Sequence, residues 1–387
     1  MKRLFLLLSC LLCLGGCSNK IEISAFGIVS GLGIDQTETG YRLSAQVINP
    51  SSVTGNHQGT LPVYVLEAEG VSIYDAYRQL NTMTAKTLYL PHLSVIIIDE
   101  AVAKTGIQEI LDFTLRNVKI RPNISLLVAN GSSASDVLKV LVPSETIPIN
   151  QIDAVSSICQ TCMSRLVHYN LYDVGGKINT IGDNVVLNSV VIKGASSETG
   201  EEMDNLLKSF SPTQLQINGL AAFNADQMVG YLDNQEAEIY NLLLNKKDKV
   251  VINKEQDGYL ITFEGRGKKV EIKPNIDAKK VAINCEVEGE LMEISYPIDL
   301  SNPENLIDLE NYLEEEVKAQ IEALFEKTKD ELQSDIFGIG NKVYQKEPKY
   351  WREIEGYWNE IYPELTFEVQ VKVKIISVGD IQNLVEQ

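Results

Sequence analysis

The chain closes on its most regular segment. From Phe367 to Ile375 apolar and polar residues alternate without a break, which fixes an extended strand. Phe367, Val369, Val371, Val373 and Ile375 face a core, and Glu368, Gln370, Lys372 and Lys374 face out. The strand is bounded at 365–378. The clearest helical signal lies upstream, over 303–333. Asn302 can cap it, Pro303 suits its first turn, and Glu304 complements the positive dipole end. Leu306, Leu309, Leu313, Val317, Ile321, Leu324, Thr328 and Leu332 form one apolar stripe, with Glu310, Glu314, Glu315, Lys318, Glu322 and Lys329 mainly off it. A further helix, Pro348 to Ile361, stacks Trp351, Ile354, Trp358 and Ile361 on one side.

The first half has a different rhythm. Ile21 to Asp35, Tyr41 to Asn49 and Leu61 to Glu69 read as strands, split by Thr37–Gly40 and by a loop from Pro50 to Gly59. Ser72 can cap a helix carrying Ile73, Ala76, Tyr77, Leu80 and Met83. Leu93 to Ile98 is a buried-type strand ended by Asp99-Glu100, and Thr105 to Arg116 a second helix. Asn123 to Ala129 is another strand, followed by a helix capped by Ser133 or Ser135. Strands alternating with helices imply a partly parallel sheet covered by helices. Ala195 to Ser211 is polar, a loop or link, and a new unit is expected near Leu215. Val250 to Ile252, Tyr259 to Glu264, Lys269 to Ile272 and Val281 to Glu290 read as successive antiparallel strands. The expected fold class is α+β with α/β character, in several domains with mixed sheets each flanked by helices. The expected division is a signal peptide at 1–16, an N-terminal α/β region of one or two subdomains at 17–205, and a C-terminal α+β region at 206–387.

The amino terminus bears on function. Lys2 and Arg3 precede an apolar run from Leu4 to Leu14, then Leu14-Gly15-Gly16-Cys17 and polar Ser18-Asn19-Lys20. A basic start, a short apolar core and small residues at a cut site describe a secretory signal. The cysteine after the small pair resembles a bacterial lipobox, with cleavage after Gly16 and diacylglycerol on the Cys17 sulfur. Cys10 leaves too short an apolar core, and Cys13 follows the bulky Leu12. The run falls short of the roughly 18 to 20 residues that span a bilayer, and no later stretch is long and apolar enough. The 387-residue chain carries 34 basic and 53 acidic residues, net −19, and loss of Lys2 and Arg3 makes it −21. Such a body is repelled by phosphate, which weighs against nucleic acid and against electrostatic docking on anionic lipid.

Catalytic and metal-binding patterns are missing. His57, His92 and His168 lie in three separate segments, and the sequence lacks H-E-x-x-H, G-x-S-x-G and the Walker A loop. Gly31-Leu32-Gly33 lacks the third glycine of a dinucleotide fingerprint and reads as a strand bend. Cys159-Gln-Thr-Cys162 has C-x-x-C spacing without a second ligand pair or a preceding strand, and reads as a local disulfide or two free thiols. Asp99-Glu100 and Glu314-Glu315-Glu316 read as solvated faces, and Trp351 with Trp358 as core. The expectation is a tethered binding or assembly protein, not an enzyme, with no cofactor, no metal site and no catalytic residue.

Two blocks carry a family likeness. One runs from Leu90-Pro91-His92-Leu93 through Asp99-Glu100, Ala103–Ile107 and Asp112-Phe113 to Arg116-Asn117. The other is Asp335-Ile336-Phe337-Gly338-Ile339-Gly340, then Trp351, Trp358 and the strand to Gly379. A weaker third runs from Gly219–Phe223 through Met228–Leu232. With the lipobox they resemble the Ger(x)C family, the C-subunit lipoproteins of nutrient germinant receptors in endospore-forming bacteria. Members often follow the acylated cysteine with tryptophan or an acid; here Ser18-Asn19 follows. The resemblance implies α/β domains without enzymatic activity, palmitate-type acyl anchoring at Cys17, and residence on the outer face of the inner spore membrane. It also implies assembly with two integral membrane germinant receptor subunits, one transporter-like and one with a soluble domain plus membrane helices. The competing class is a solute-binding lipoprotein of a membrane transporter or sensor, whose mark would be two similar lobes about a hinged, polar cleft.

Overall fold

The computed structural model describes residues 25–53, 60–162, 164–244, 249–256, 259–277, 279–295 and 298–379. Its strands are β1 (Phe26–Gln36), β2 (Tyr41–Ile48), β3 (Val63–Gly70), β4 (Thr87–Tyr89), β5 (Val95–Ile98), β6 (Ser125–Ala129) and β7 (Val186–Gly194), then β8 (Thr213–Asn224), β9 (Gln227–Leu232), β10 (Lys249–Gln256), β11 (Tyr259–Asn275), β12 (Lys280–Ile294) and β13 (Thr366–Ser377). Helices of five or more residues are α1 (Ile73–Leu80), α2 (Glu100–Thr105), α3 (Gln108–Arg116), α4 (Ala134–Lys139), α5 (Ile149–Cys162) and α6 (Leu171–Ile178), then α7 (Asn234–Leu243), α8 (Pro303–Glu326), α9 (Ile339–Lys346) and α10 (Pro348–Ile354).

Among the described residues the strands form two mixed sheets. The first has the order β3-β2-β1-β5-β6-β7-β8-β9, with β4 set against the start of β1. β1, β4, β5, β6 and β7 run parallel, with antiparallel strands at either side. Val95, Ile96, Ile97 and Ile98 are all fully buried, because helices cover both faces of this strand. Leu32, Ile96 and Ile98 pack with α1, α2, α3 and α6 on one face; Val95, Ile97 and Leu127 pack with α4 and α5 on the other. Gly31 and Gly33 let that second layer approach: a Cβ at Gly33 would stand 3.1 Å from Ala134 backbone and from Leu138. The second sheet runs β10-β11-β12-β13, antiparallel except for the parallel pair β12 and β13. Mixed sheets flanked by helices give the α+β class expected.

Several boundaries differ from expectation. The sheet does not change near Leu215: β8 and β9 complete the first sheet, and the second begins at Lys249. Turn signals at both places look alike in sequence, and only pairing with β7 assigns β8. Asp99 caps α2, which Gly106 (φ +135) separates from α3, so the helix expected at Thr105 to Arg116 is preceded by another. Tyr259 to Glu264 and Lys269 to Ile272 are one strand, with an irregularity between Gly267 and Lys269. The glycines there admit close cross-strand contact rather than a turn: a Cβ on Gly289 would lie 2.5 Å from Gly265 Cα. Pro348 to Ile361 breaks at a 3₁₀ turn, Glu355–Tyr357, which contains Gly356. The polar link after Ala195 holds two one-turn helices, Ser197–Gly200 and Asp204–Leu207.

The carboxy-terminal unit is built as its periodicity predicts. Asn302 accepts from Glu304 N at 3.0 Å, and α8 buries Leu309, Leu313, Val317, Ile321 and Leu324 on the second sheet. Its last turn widens into a π-helical segment, Lys327–Glu331, where Thr328 donates to the Phe325 carbonyl and its hydroxyl lies 2.8 Å from that of Tyr362. Two stripe-flanking acids do more than face solvent. Glu310 accepts from Ile375 N at 2.9 Å and Glu314 from Val373 N at 3.1 Å. They satisfy the free amides of edge strand β13, which would otherwise invite pairing with another chain. Truncating Leu313 to Ala should cost about 3 kcal/mol in urea unfolding, whereas Ile307→Ala, at a half-exposed position, should stay within about 0.5 kcal/mol.

Candidate functional site

The acylation candidate Cys17, the signal at 1–16 and His57 lie outside the described residues, as do the side chains of Cys159 and Cys162 at the end of α5. The other singled-out residues do not converge. His92 is exposed against the Tyr89 ring, and His168 is exposed in another segment. Asp99 caps α2 and also accepts from Gln36 N at 3.1 Å; Glu100 pairs with Lys104. Glu316 pairs with Lys254 at 2.8 Å. Cys285 is a buried free thiol whose pKa burial pushes up to about 12, the opposite of a reactive thiolate. Among the described residues no group of three metal-ligating side chains is present.

What the structure does bring together is a buried polar junction between the two sheets. The Asp335 carboxylate accepts from Ile339 N at 2.9 Å, Gly340 N at 2.8 Å and Trp358 Nε1 at 3.1 Å, so it starts α9 and holds the tryptophan. Its carbonyl accepts from Asn184 N at 2.9 Å, just before β7. The Asn184 side chain donates to Ser334 Oγ and accepts from Ala225 N, while Ser334 donates to the Phe223 carbonyl of β8. Beside it Asn341 donates to Asp183, which is paired with Lys177. Gly182 and Gly340 meet backbone to backbone: a Cβ on Gly340 would stand 2.7 Å from Gly182 Cα and 2.6 Å from the Trp351 ring. Trp351 and Trp358 pack edge to face at 5.1 Å and are buried, as core rather than as a ligand platform. Burial raises the Asp335 carboxyl to about 7, against the three N–H donors that favour its ionised form.

The block Asp335–Gly340 was legible as a signature; its partners Gly182, Asp183 and Asn184 were not. An Asn and a Gly in a loop carry no mark of a contact 150 residues away. A second tie fixes the segment after α5. Arg165 pairs with buried Glu238 of α7, Glu238 accepts from Val251 N, and Asn241 holds the carbonyls of Ser164 and Leu166.

An open groove of about 760 Å³ lies elsewhere, between α1 and α3. Tyr74, Tyr77, Phe113 and Val118 line it, with Glu109, Asp112 and Arg116 at the rim. It sits within the first unit, not between two similar lobes. The two units differ in strand number and topology and do not mirror one another.

Comparison with known proteins covers the whole fold. The family model described as spore germination protein N-terminal domain matches residues 19–192, and that described as spore germination B3/GerAC like, C-terminal, matches residues 218–379. Spore germination protein KC of Bacillus subtilis (strain 168) is 29% identical over 97% of this chain and 95% of its own length. Spore germination protein B3 of the same organism is 23% identical over 96% of each. The crystal structure of the GerBC protein superimposes with a TM-score of 0.53 at 21% identity, over 89% of this chain and 97% of that one. That likeness is of fold.

The junction yields a signed pH dependence. A carboxyl raised from 3.8 to about 7 on folding makes the native state bind the extra proton between those values, so its contribution is full below about pH 4 and lost as pH rises through about 7. Asp335→Ala should flatten that part of the stability profile and, at pH 5, cost about 3 kcal/mol through the orphaned N–H donors. Gly340→Ala should cost about 2 kcal/mol by overpacking. Urea unfolding at pH 5 and pH 8 measures each.

Proposed function

Because the chain belongs to the Ger(x)C family of spore germination proteins, we propose that it is the lipid-anchored, non-enzymatic C subunit of a nutrient germinant receptor. The observation that carries this reading is full-length correspondence: both family models match in order, and the relatives named for spore germination align over nearly their entire lengths. The lipobox ending at Cys17 supports an acyl anchor on the outer face of the inner spore membrane. The scattered histidines, the inert Cys285 and the purely structural use of Asp99, Glu314 and the tryptophans support a role by assembly rather than catalysis.

The physical logic is proximity. An acyl tether confines the body to a thin layer above the bilayer, so the contacts it makes with integral receptor subunits can be individually weak. One myristoyl-length chain binds a membrane only marginally, and a lipobox cysteine carrying two or three chains holds firmly. The units built on the first and second sheets would then act as a single docking body, each offering its own surface to a membrane partner.

Cys17→Ala is the direct test. In spores it should move the protein out of the membrane fraction and reduce nutrient-triggered germination by at least about tenfold, with the fold intact by circular dichroism. Wild-type germination from the variant would exclude a need for the anchor.

A further inference from the structure

The described chain begins at the end of the first sheet from which its parallel strands start. β1 starts at Phe26, level with Thr87 of parallel β4, and Lys86 Cβ lies 3.7 Å from where a Gly27 Cβ would stand. β5 and β6 point the same way and begin level with Gly31, so the chain enters both from this side, β6 by way of the turn with Val118, Lys119 and Arg121. Helix α1 returns to it and delivers Met83.

Charge divides the two ends. The acidic residues of β1, β3, α1, α2 and α4 collect at the far end, among them Asp35, Glu69, Asp75, Asp99 and Asp136. The described stretches that run to and from the near end, Gln46–Val53, Thr60–Val65, Arg78–Leu93 and Phe113–Ile124, hold no acid, in a chain with 53. Lys86, Lys119 and Arg121 make no ion pair among the described residues, while Arg116 is held by Asp112. Val118 is 97% exposed and Met83 56%, two apolar tips flanked by these cations. Further along the same edge stand Asp183, neutralised by Lys177, and Asp226 in the β8–β9 turn.

We propose that this end rests on an anionic bilayer surface, with Lys86, Lys119 and Arg121 at the headgroups and the Val118 and Met83 side chains dipping between them. The inference rests on the acylation of Cys17 argued above. Seven residues separate Cys17 from Ala25, a reach of at most about 28 Å, while β1 alone holds its far end about 33 Å beyond Phe26. The near end is therefore the one the anchor keeps at the membrane. Net charge argued against such docking only while the charge was taken as uniform; its segregation removes the objection. Basic residues at an anionic surface contribute about a fivefold change in occupancy each, so the three together give on the order of a hundredfold.

The test uses the acylated full-length protein in vesicles, with Cys159→Ser and Cys162→Ser and a fluorophore on Val118→Cys or, at the far end, on Glu38→Cys. Bromine-bearing lipid chains should quench the Val118 label in phosphatidylglycerol vesicles at least about fivefold more than in phosphatidylcholine. The Glu38 label should stay unquenched in both. Lys86→Glu with Lys119→Glu and Arg121→Glu should bring the Val118 label to background while leaving the protein vesicle-bound. An acylated protein whose Val118 label is unquenched, or equally quenched in both lipids or after charge reversal, overturns the surface alone. Mass spectrometry showing Cys17 without acyl chains overturns the anchor and this surface together.

Discussion

A single buried carboxylate holds the architecture together. Asp335 accepts hydrogen bonds from two amides at the start of α9 and from the Trp358 indole, while its own carbonyl takes the Asn184 amide ahead of β7. A buried acid without partners is costly, and one with three donors fixes the position of everything that donates to it. The consequence is a shared interior. The apolar cluster around the second sheet runs on through α7 and into Val186, Leu220 and Ala222 of the first. Two sheets of different topology are thereby joined by core packing rather than by a hinge, which distinguishes this body from a two-lobed solute trap.

What the sequence made legible follows from whether the physics is local. Periodicity and capping are local, so α8 and β13 were found with their faces assigned, down to the Asn302 cap and the Thr328 position in the stripe. Pairing is not. Nothing within Thr213–Asn224 says that it lies beside β7, and Gly265, which meets Gly289 across the strands, reads in sequence as the start of a turn. The same limit hid the junction, whose halves lie about 150 residues apart. The glutamates Glu310 and Glu314 show a subtler gap: charge on a helix predicts exposure, but here it closes the open edge of a sheet.

The residues singled out for chemistry have structural partners once they are placed. The acids that might have formed a dyad are spent on helix caps, edge amides and ion pairs, and the tryptophans on the junction. The first unit is polarised: Asp35, Glu69, Asp75, Asp99 and Asp136 gather at one end of its sheet, and the stretches around Lys86, Lys119 and Arg121 hold no acid. The open groove between α1 and α3 offers aromatic side chains on the flank between them. A body whose surfaces differ by direction fits the proposed role, in which lipid and protein neighbours would meet different faces.

The central claim is that the junction makes one cooperative body of the two sheets, and native-state hydrogen exchange tests it most directly. Amides of β5 and β6 in the first sheet and of β12 and β13 in the second should exchange with one common opening free energy and the same denaturant dependence. Two separate values, with the second sheet opening while the first stays closed, would contradict the account.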